Sequence, residues 1–469
     1  MIFRVSSHTD YIGPNSTYVA ITGKNFDGID FITTAIERGA TTIVVQEDAI
    51  IASKLISVCT QKNIKIIRVP DTRTALCELS AKAYNYPAQK LRILAVTGTD
   101  GKTTSSYLLY HMLNHAGKKT ALLSGVNNIV GTQEYSADLT TAKPDFLHYF
   151  FDQCVQQDIE YVVMETSAQA ATLHRIDTLS FDGCIFTNLA HEHGENYSTR
   201  EAYFEAKSTI LAQKKDGAPL IVHDSPVVKS IIQRFGDVVR CSLRAPADCI
   251  VTCLQETLSK QYIEIAYGSQ RYTLETTLIG DYNALNIAGA ALLAHQLGAQ
   301  PTHIIAAVKN FKGAKGRLER YQLPNGALAI IDYAHTPQAY AALLGRLRQY
   351  ARKLVVVFGL AGGKDVTKRP IMGKIAATYS DLIVLTNDNP RNEDPQEIMH
   401  QVMAQLDEHE RAKFVCEPDR ERAIMYACQQ IQEGDIVAIL GKGGEHVQII
   451  GTQRLPYSDE HVVKNVMSI

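Results

Sequence analysis

Tryptophan is absent from the 469-residue chain and aromatic residues make up only 7% of it. No apolar run approaches the roughly 20 residues that cross a bilayer, so no membrane partner is expected. The opening MIFRVSSHTD lacks the apolar stretch of a secretory leader, and the expected location is cytoplasmic. Charge of one sign is also missing: 47 Lys and Arg face 49 Asp and Glu, for a formal net charge of −2. That balance removes the electrostatic footprint of a nucleic-acid binder. The nine cysteines are scattered with no C-x-x-C. The pair Cys249 and Cys253 has no companion pair at zinc-site spacing, so buried free thiols in a reducing compartment are expected. What remains, 45% hydrophobic and 20% charged residues, describes a globular protein, and its length corresponds to about three domains.

The most informative stretch is Gly98-Thr99-Asp100-Gly101-Lys102-Thr103-Thr104, directly after the apolar run Ile93 to Val96. Two residues separate the glycines, fewer than in GxxxxGK[ST], but the physics is the same. A strand ends, glycines admit an anion close to the backbone, and a helix opens with N–H groups directed at it. Lys102 can neutralise a terminal phosphate and the Thr103 hydroxyl can hold Mg2+. The spacing of Leu108, Leu109 and Met112 predicts a helix from Ser105 to His115. These features predict binding of ATP or GTP.

The pattern of elements divides the chain into three blocks. Residues 1–88 alternate short strands (Ser16 to Thr22, Thr41 to Gln46, Ile64 to Val69) with helices, and Pro87 lies in the linker. Residues 89–313 carry strand-like runs at Ile93 to Thr97, Thr120 to Ser124, Tyr161 to Glu165, Gly183 to Thr187 and Pro219 to His223. Residues 314–469 repeat the alternation at Leu328 to Asp332, Leu354 to Phe358, Leu382 to Thr386 and Ile436 to Leu440. The expected fold is therefore α/β in three domains: a small N-terminal α/β domain, a central P-loop parallel-sheet ATPase domain and a C-terminal Rossmann-like α/β domain. Between Cys249 and Leu278 the pattern is β-rich, with a hairpin near Gly268, and Asp281 to Leu297 reads as a helix.

Functional side chains of such folds gather at the C-terminal ends of strands. Glu165 ends the strand YVVME and suits a Mg2+ ligand, with a helix N-terminal charge or a salt bridge as the alternative. His191-Glu192-His193 comes after another strand and reads either as a metal-associated segment or as a surface loop. Lys207, in a helix from Arg200 to Leu211, reads by itself as a solvated lysine. Asp332 to Pro337 reads as a ribose or metal contact or as a capped turn. Asp388-Asn389-Pro390-Arg391 offers a guanidinium fork to a carboxylate, and Gly441 to Glu445 offers close backbone approach and a carboxylate for an amine. Tight turns remain the alternative for both.

Taken in order, TGTDGKTT, LTTAKPD, METSAQ with HRI, FTNLAHEH with YFEAK, GDYNALN, GRLE, DYAHTP, the KRP near Arg369, DNPRNEDP and GKGGEHVQIIG resemble the Mur ligases over nearly the whole chain. The DNPR and GKG-x-E segments resemble the MurE type, whose DNPR marks enzymes adding meso-diaminopimelate. The resemblance implies an ATP- and Mg2+-dependent ligase of peptidoglycan precursor synthesis. ATP would phosphorylate the D-glutamate γ-carboxylate of UDP-MurNAc-L-Ala-D-Glu, and an amine of the diamino acid would attack the acyl phosphate. It assigns Gly98, Thr99, Asp100, Gly101, Lys102, Thr103, Thr104, Asn283, Arg317, Asp332 and His335 to ATP. Thr103, Glu165 and a carbamylated Lys207 would hold metal, with His193 metal-associated, and Lys102, Glu165, His193 and Lys207 would form the catalytic set. Thr140, Thr141, Ser167 and Arg175 would hold the muramoyl peptide, and Ser7 the nucleotide sugar in the first domain. Asn389, Arg391, Gly441 and Glu445 would receive the amino acid. A monomer is expected.

The chain departs from the family pattern at several points. ETSAQ puts Gln169 in place of a histidine, EHGENY replaces DHLDYH, and Lys364 stands where an arginine precedes KRP. GKGGE replaces GKGHE, Ser6-Ser7-His8 stands where DSR is expected, and Asp100 replaces an asparagine. These departures keep two alternatives open: a related ligase with another acceptor (L-lysine-adding, folylpolyglutamate-like or pseudomurein-type), or a binding protein without turnover.

Overall fold

Strands such as Leu354–Phe358 (LVVVF) and Ile436–Leu440 (IVAIL) are continuous apolar runs because both of their faces are covered. In the computed structural model, which describes residues 1–23, 26–190 and 194–468, alternate residues of these strands enter two different cores. Val356, Phe358, Ala438 and Leu440 lie in one, with Tyr340, Leu344 and Met372 from flanking helices. Val355, Val357, Val437 and Ile439 lie in the other, with Ile424 and Val463. The six-stranded sheet they belong to runs Glu319–Gln322, Leu328–Asp332, Ile436–Leu440, Leu354–Phe358, Leu382–Leu385 and Phe414–Cys416. Only its first pair is antiparallel. In register, Asp332 and Phe358 both pair with Leu440, so three strand ends, and the loops after them, share one edge.

The chain forms two compact units: residues 1–97, 117–185 and 205–220, and residues 98–116, 186–204 and 221–469. The first holds a fully parallel sheet of Val5–Ser6, Ser16–Val19, Ala40–Gln46 and Lys65–Val69. It also holds the strand series Gly183–Phe186, Arg92–Thr97, Tyr161–Glu165, Thr120–Leu123, Asn127–Val130 and Gln133–Ser136. The second unit holds the series Leu220–His223, Val239–Ser242, Cys249–Glu256, Gln261–Tyr267 and Gln270–Thr276, besides the six-stranded sheet. Among the described residues, no helix is long and apolar enough to cross a membrane.

The expected strands and helices are present, with small shifts in their bounds. The first helix after the phosphate loop spans Lys102–His115 and so starts three residues before the predicted Ser105. Two adjacent threonines disfavour a helix by propensity, but Gly101, left-handed at φ 84°, turns the chain directly into it. The hairpin Asn127–Val130 with Gln133–Ser136, and the late hairpin Val447–Ile450 with Gln453–Pro456, are additional. Both have four-residue strands, and the second strand of each, QEYS and QRLP, is largely exposed, so no sustained alternation reveals them. Seven cysteines are buried and free as expected, whereas Cys253 and Cys416 are exposed.

One ion pair is sealed inside the second unit. Arg420 Nε and Nη2 each donate to Asp459 at 2.8 Å, and both side chains are fully buried. Arg420 Nη2 also donates to Leu440 O at 3.0 Å, tying the pair to the end of the central strand. Breaking such a pair strands a buried charge, so Asp459→Ala is expected to destabilise the protein by about 3–5 kcal/mol in urea unfolding. A loss below about 1 kcal/mol would contradict this account.

Candidate active site

The phosphate loop is held by the segment just beyond the strand Gly183–Phe186. Thr99 N donates to Asn188 O at 2.9 Å and Asp100 N to Asn188 Oδ1 at 2.9 Å. In return Asp100 O accepts from Thr187 Oγ1 at 2.6 Å and Asn188 Nδ2 at 3.1 Å. Gly98 has φ 143°, and a Cβ there would lie 1.9 Å from Thr187 Oγ1, so the loop closes only around glycine. Lys102 Nζ folds back onto the loop, donating to Thr99 O at 2.7 Å and Gly98 O at 3.0 Å. The N-cap of the helix it opens is Gly101, which has no side chain to cap it, and an anion suits such a helix end.

Four other predicted nucleotide residues gather in the same unit. Arg317 Nη2 donates to Thr103 Oγ1 at 3.1 Å, and its guanidinium stacks 4.3 Å from the Tyr333 ring centre. Asp332 accepts from Leu318 N and Ala334 N, both at 2.7 Å. Burial pushes the Asp332 carboxyl above its usual range, opposed by the Arg317 charge and these two N–H groups. His335 Nδ1 lies 2.8 Å from Tyr333 O, so the proton sits on that nitrogen. Asn283 Nδ2 donates to Ile279 O at 2.9 Å and its Oδ1 accepts from Asn286 Nδ2 at 3.3 Å. Asn286 in turn accepts from Ser105 Oγ at 3.3 Å. The departure Asp100 accepts from Thr336 Oγ1 at 3.2 and 3.3 Å.

A further cluster lies at the same edge of the six-stranded sheet. Asn389 Nδ2 donates to Glu445 Oε2 at 3.0 Å, uniting the DNPR and GKGGE segments. Lys442, wholly buried, donates to Glu445 Oε2 at 2.9 Å, Asn389 Oδ1 at 3.1 Å and Asp388 Oδ1 at 3.4 Å. Arg391 is held at φ 54° by backbone bonds with Ile449 and Gly451, and its Nη1 donates to Gly362 O at 3.0 Å. Gly441 N donates to Asp332 O at 3.1 Å. The turn after Lys442 passes so close to Gly316 that a Cβ on Gly316 would stand 1.9 Å from Gly444 N. Nearby, Lys364 Nζ pairs with Glu195 Oε1 at 3.1 Å, so two departures from the family pattern contact each other. Both line a cavity of about 490 Å³ with Tyr197, Arg200, Tyr203 and Asp365.

The first unit brings together the residues expected to hold the peptide. Buried Thr141 Oγ1 lies 2.9 Å from Glu165 O and accepts from Ser167 N at 2.9 Å, while Arg175 Nη1 donates to Thr141 O at 2.7 Å. Thr140 packs against Gly125, whose N–H donates to Glu165 Oε1 at 3.0 Å. Ser7 N donates to Asp145 Oδ2 at 3.4 Å, as does Ser6 Oγ at 2.8 Å. Glu165 and Lys207 are each only 1% exposed, so Lys207 is not the solvated lysine that its helix position alone suggests. His193 lies outside the described residues, as do His191 and Glu192. Among the described residues, no group of three or more His, Cys, Asp or Glu side chains gathers around a metal position.

Asp145, Asn188, Asn286 and Lys442 do not stand out from the sequence as single residues. Each lies within a motif segment (LTTAKPD, FTNLAHEH, GDYNALN, GKGGE), which is the signal that could have found it. Family models for the Mur ligase family catalytic domain, the Mur ligase middle domain and the Mur ligase glutamate ligase domain match residues 7–84, 96–294 and 316–443. The chain belongs to the Mur ligase family. Among Mur ligases it is 33% identical to the UDP-N-acetylmuramoyl-L-alanyl-D-glutamate–2,6-diaminopimelate ligase of Geobacillus thermodenitrificans, over 97% of this chain and 92% of that protein. The same-named protein of Aquifex aeolicus is 34% identical over 96% and 90% of the two chains. A solved structure of a ligase of that name aligns with TM-score 0.64 and 25% identity, over 100% of this chain and 95% of that one. The MurF ligase of Thermotoga maritima, solved with ADP, shares the three-domain fold at TM-score 0.67 and 19% identity, over 93% of each chain.

If the tight closure at Gly98 forms the phosphate cradle, Gly98→Ala is expected to weaken ADP binding by at least about tenfold in calorimetry. Unchanged affinity would place the nucleotide elsewhere.

Proposed function

We propose that this Mur ligase adds meso-diaminopimelate to UDP-MurNAc-L-Ala-D-Glu, forming an amide with release of ADP and phosphate. The observation that carries the reading is the Asn389–Glu445 hydrogen bond at 3.0 Å, which joins a DNPR segment to the carboxylate of GKGGE. An ammonium is matched by Glu445, and a carboxylate by the Arg391 guanidinium. The full-length likeness to ligases named for 2,6-diaminopimelate supports the same acceptor. We assign residues 1–88 to the nucleotide sugar, 89–313 to ATP and 314–469 to the amino acid. ATP and nucleotide-linked substrates make the reaction cytoplasmic under this reading.

Lys102 would release the loop carbonyls and take the β- and γ-phosphates, with the N–H groups of the helix it opens. Arg317, Asp332, His335 and Asn283 would position the rest of ATP. Thr140, Thr141, Ser167 and Arg175 would fix the muramoyl dipeptide, and Ser7 its nucleotide end. The γ-phosphoryl group passes to the D-glutamate carboxylate, the acceptor amine attacks the acyl carbon, and inorganic phosphate leaves as the amide forms. The work asked of these side chains is alignment and charge neutralisation. Magnesium takes oxygen donors, often one or two carboxylates with phosphates and waters. The buried Glu165 carboxylate and the Thr103 hydroxyl are donors of that kind, and Lys207 would become one as a carbamate. When bound, the ion would neutralise phosphate charge.

A second reading keeps the ligase and changes the acceptor. It is favoured by Lys364, which lacks the guanidinium fork and is paired with Glu195 at 3.1 Å. An acceptor screen with ATP and UDP-MurNAc-L-Ala-D-Glu separates the two. ADP is expected only when meso-diaminopimelate is also present, and equal turnover with L-lysine would overturn the proposed specificity.

A further inference from the structure

Lys442 is a fully buried primary ammonium outside the sets assigned to ATP, metal, peptide and acceptor. It sits in a cradle of oxygens from Asp388, Asn389 and Glu445 at 3.4, 3.1 and 2.9 Å. Its fourth side is the Tyr457 ring, 5.9 Å from the ring centre. Tyr457 is itself fixed, because its hydroxyl donates to Asp459 Oδ1 at 3.0 Å and Asp459 is locked to Arg420. The aromatic side of the cradle is therefore anchored to the buried Arg420–Asp459 pair.

Charge decides what this cradle does. Arg420 and Asp459 neutralise each other. Among the groups hydrogen-bonded to Lys442, two carboxylates, Asp388 and Glu445, face one ammonium, which leaves a single negative charge. Burial pushes the Asp388 carboxyl upward and Lys442 opposes that rise. Glu445 is where the remaining charge is accessible: its side chain is 32% exposed. Its Oε2 is occupied by Lys442 and Asn389, and among the described residues no hydrogen bond reaches Oε1. Asn389 is held with its carbonyl toward Lys442 and Ile449 N and its amide toward Glu445.

We propose that Lys442 is a positioning residue for acceptor recognition, fixing Glu445 and Asn389 and trimming the cluster to the one negative charge that an acceptor ammonium complements. The inference rests on the assignment of Asn389 and Glu445 to the amino acid. The hydrogen bonds of Lys442 go to Asp388, Asn389 and Glu445 and to none of the residues assigned to ATP or the dipeptide, so its loss is expected to fall on the acceptor.

Three variants test it through steady-state kinetics with the acceptor varied at saturating ATP and dipeptide. Lys442→Met is expected to raise the acceptor KM by about tenfold or more, with a smaller change in kcat. Asp388→Asn leaves the cluster neutral and is expected to raise the same KM, with its native fold checked by circular dichroism. The double variant Lys442→Met with Asp388→Asn restores one negative charge but not the hydrogen bonds to Glu445 and Asn389, and is expected to recover part of the KM lost in Lys442→Met. An unchanged acceptor KM in Lys442→Met, or a double variant no better than that single variant, overturns the proposal. Should Lys442→Met not fold, an unchanged KM in Asp388→Asn overturns it equally. If the wild-type protein turns over a different amino acid, the diaminopimelate reading fails, and the same KM ratios measured with that amino acid still decide the role of Lys442.

Discussion

Much of the second unit depends on one strand being buried on both faces and paired on both edges. Ile436–Leu440 lies between Leu328–Asp332 and Leu354–Phe358, and each of its five residues is buried. Such a strand has no freedom to slip, because a one-residue shift would exchange its two cores. Its end therefore fixes three neighbours: Gly441 is bonded to Asp332, Lys442 enters its oxygen cradle, and Leu440 O is tied to Arg420. Asp332 and Glu445, proposed for the nucleotide and the acceptor, are thus placed by neighbouring strands of one sheet. Precision in a ligase that must align three substrates has a structural source here.

The phosphate loop shows the complementary strategy. Its backbone is fixed by Thr187 and Asn188, while its lysine is parked on loop carbonyls. A cradle whose amides are already oriented has little reorganisation to undergo when an anion arrives. In the proposed role, Lys102 would exchange neutral carbonyl partners for charged phosphate oxygens, which would strengthen each of its hydrogen bonds.

The fold was legible wherever period and punctuation were strong. Tyr161–Glu165, Leu328–Asp332, Leu354–Phe358 and Ile436–Leu440 have the bounds read from their apolar runs. The short hairpins were not legible, because Gln133–Ser136 and Gln453–Pro456 bury almost nothing and so carry no pattern. For the site, the segments of Asn389 and Glu445 stood out at strand ends, and the resemblance to Mur ligases supplied their expected acceptor role. Lys442 itself did not stand out, since a lysine between glycines reads as exposed, and only tertiary packing shows it with three oxygen partners. Lys207 misled in the same direction: helix position suggested solvent, and neighbours in space buried it. Single-residue burial of a cation is a property of long-range contacts, and local sequence holds little trace of it.

Gly316 and the Gly443-Gly444 turn meet backbone to backbone, with Gly443 at φ 51° and Gly316 at φ 67°. Arg317 is the next residue after the first, and Glu445 the next after the second. Neither segment can acquire a side chain at the crossing unless the other withdraws. The two segments are therefore coupled sterically: a side chain gained on one side of the crossing displaces the residue that the other presents, so the proposed nucleotide and acceptor sites share one fixed joint.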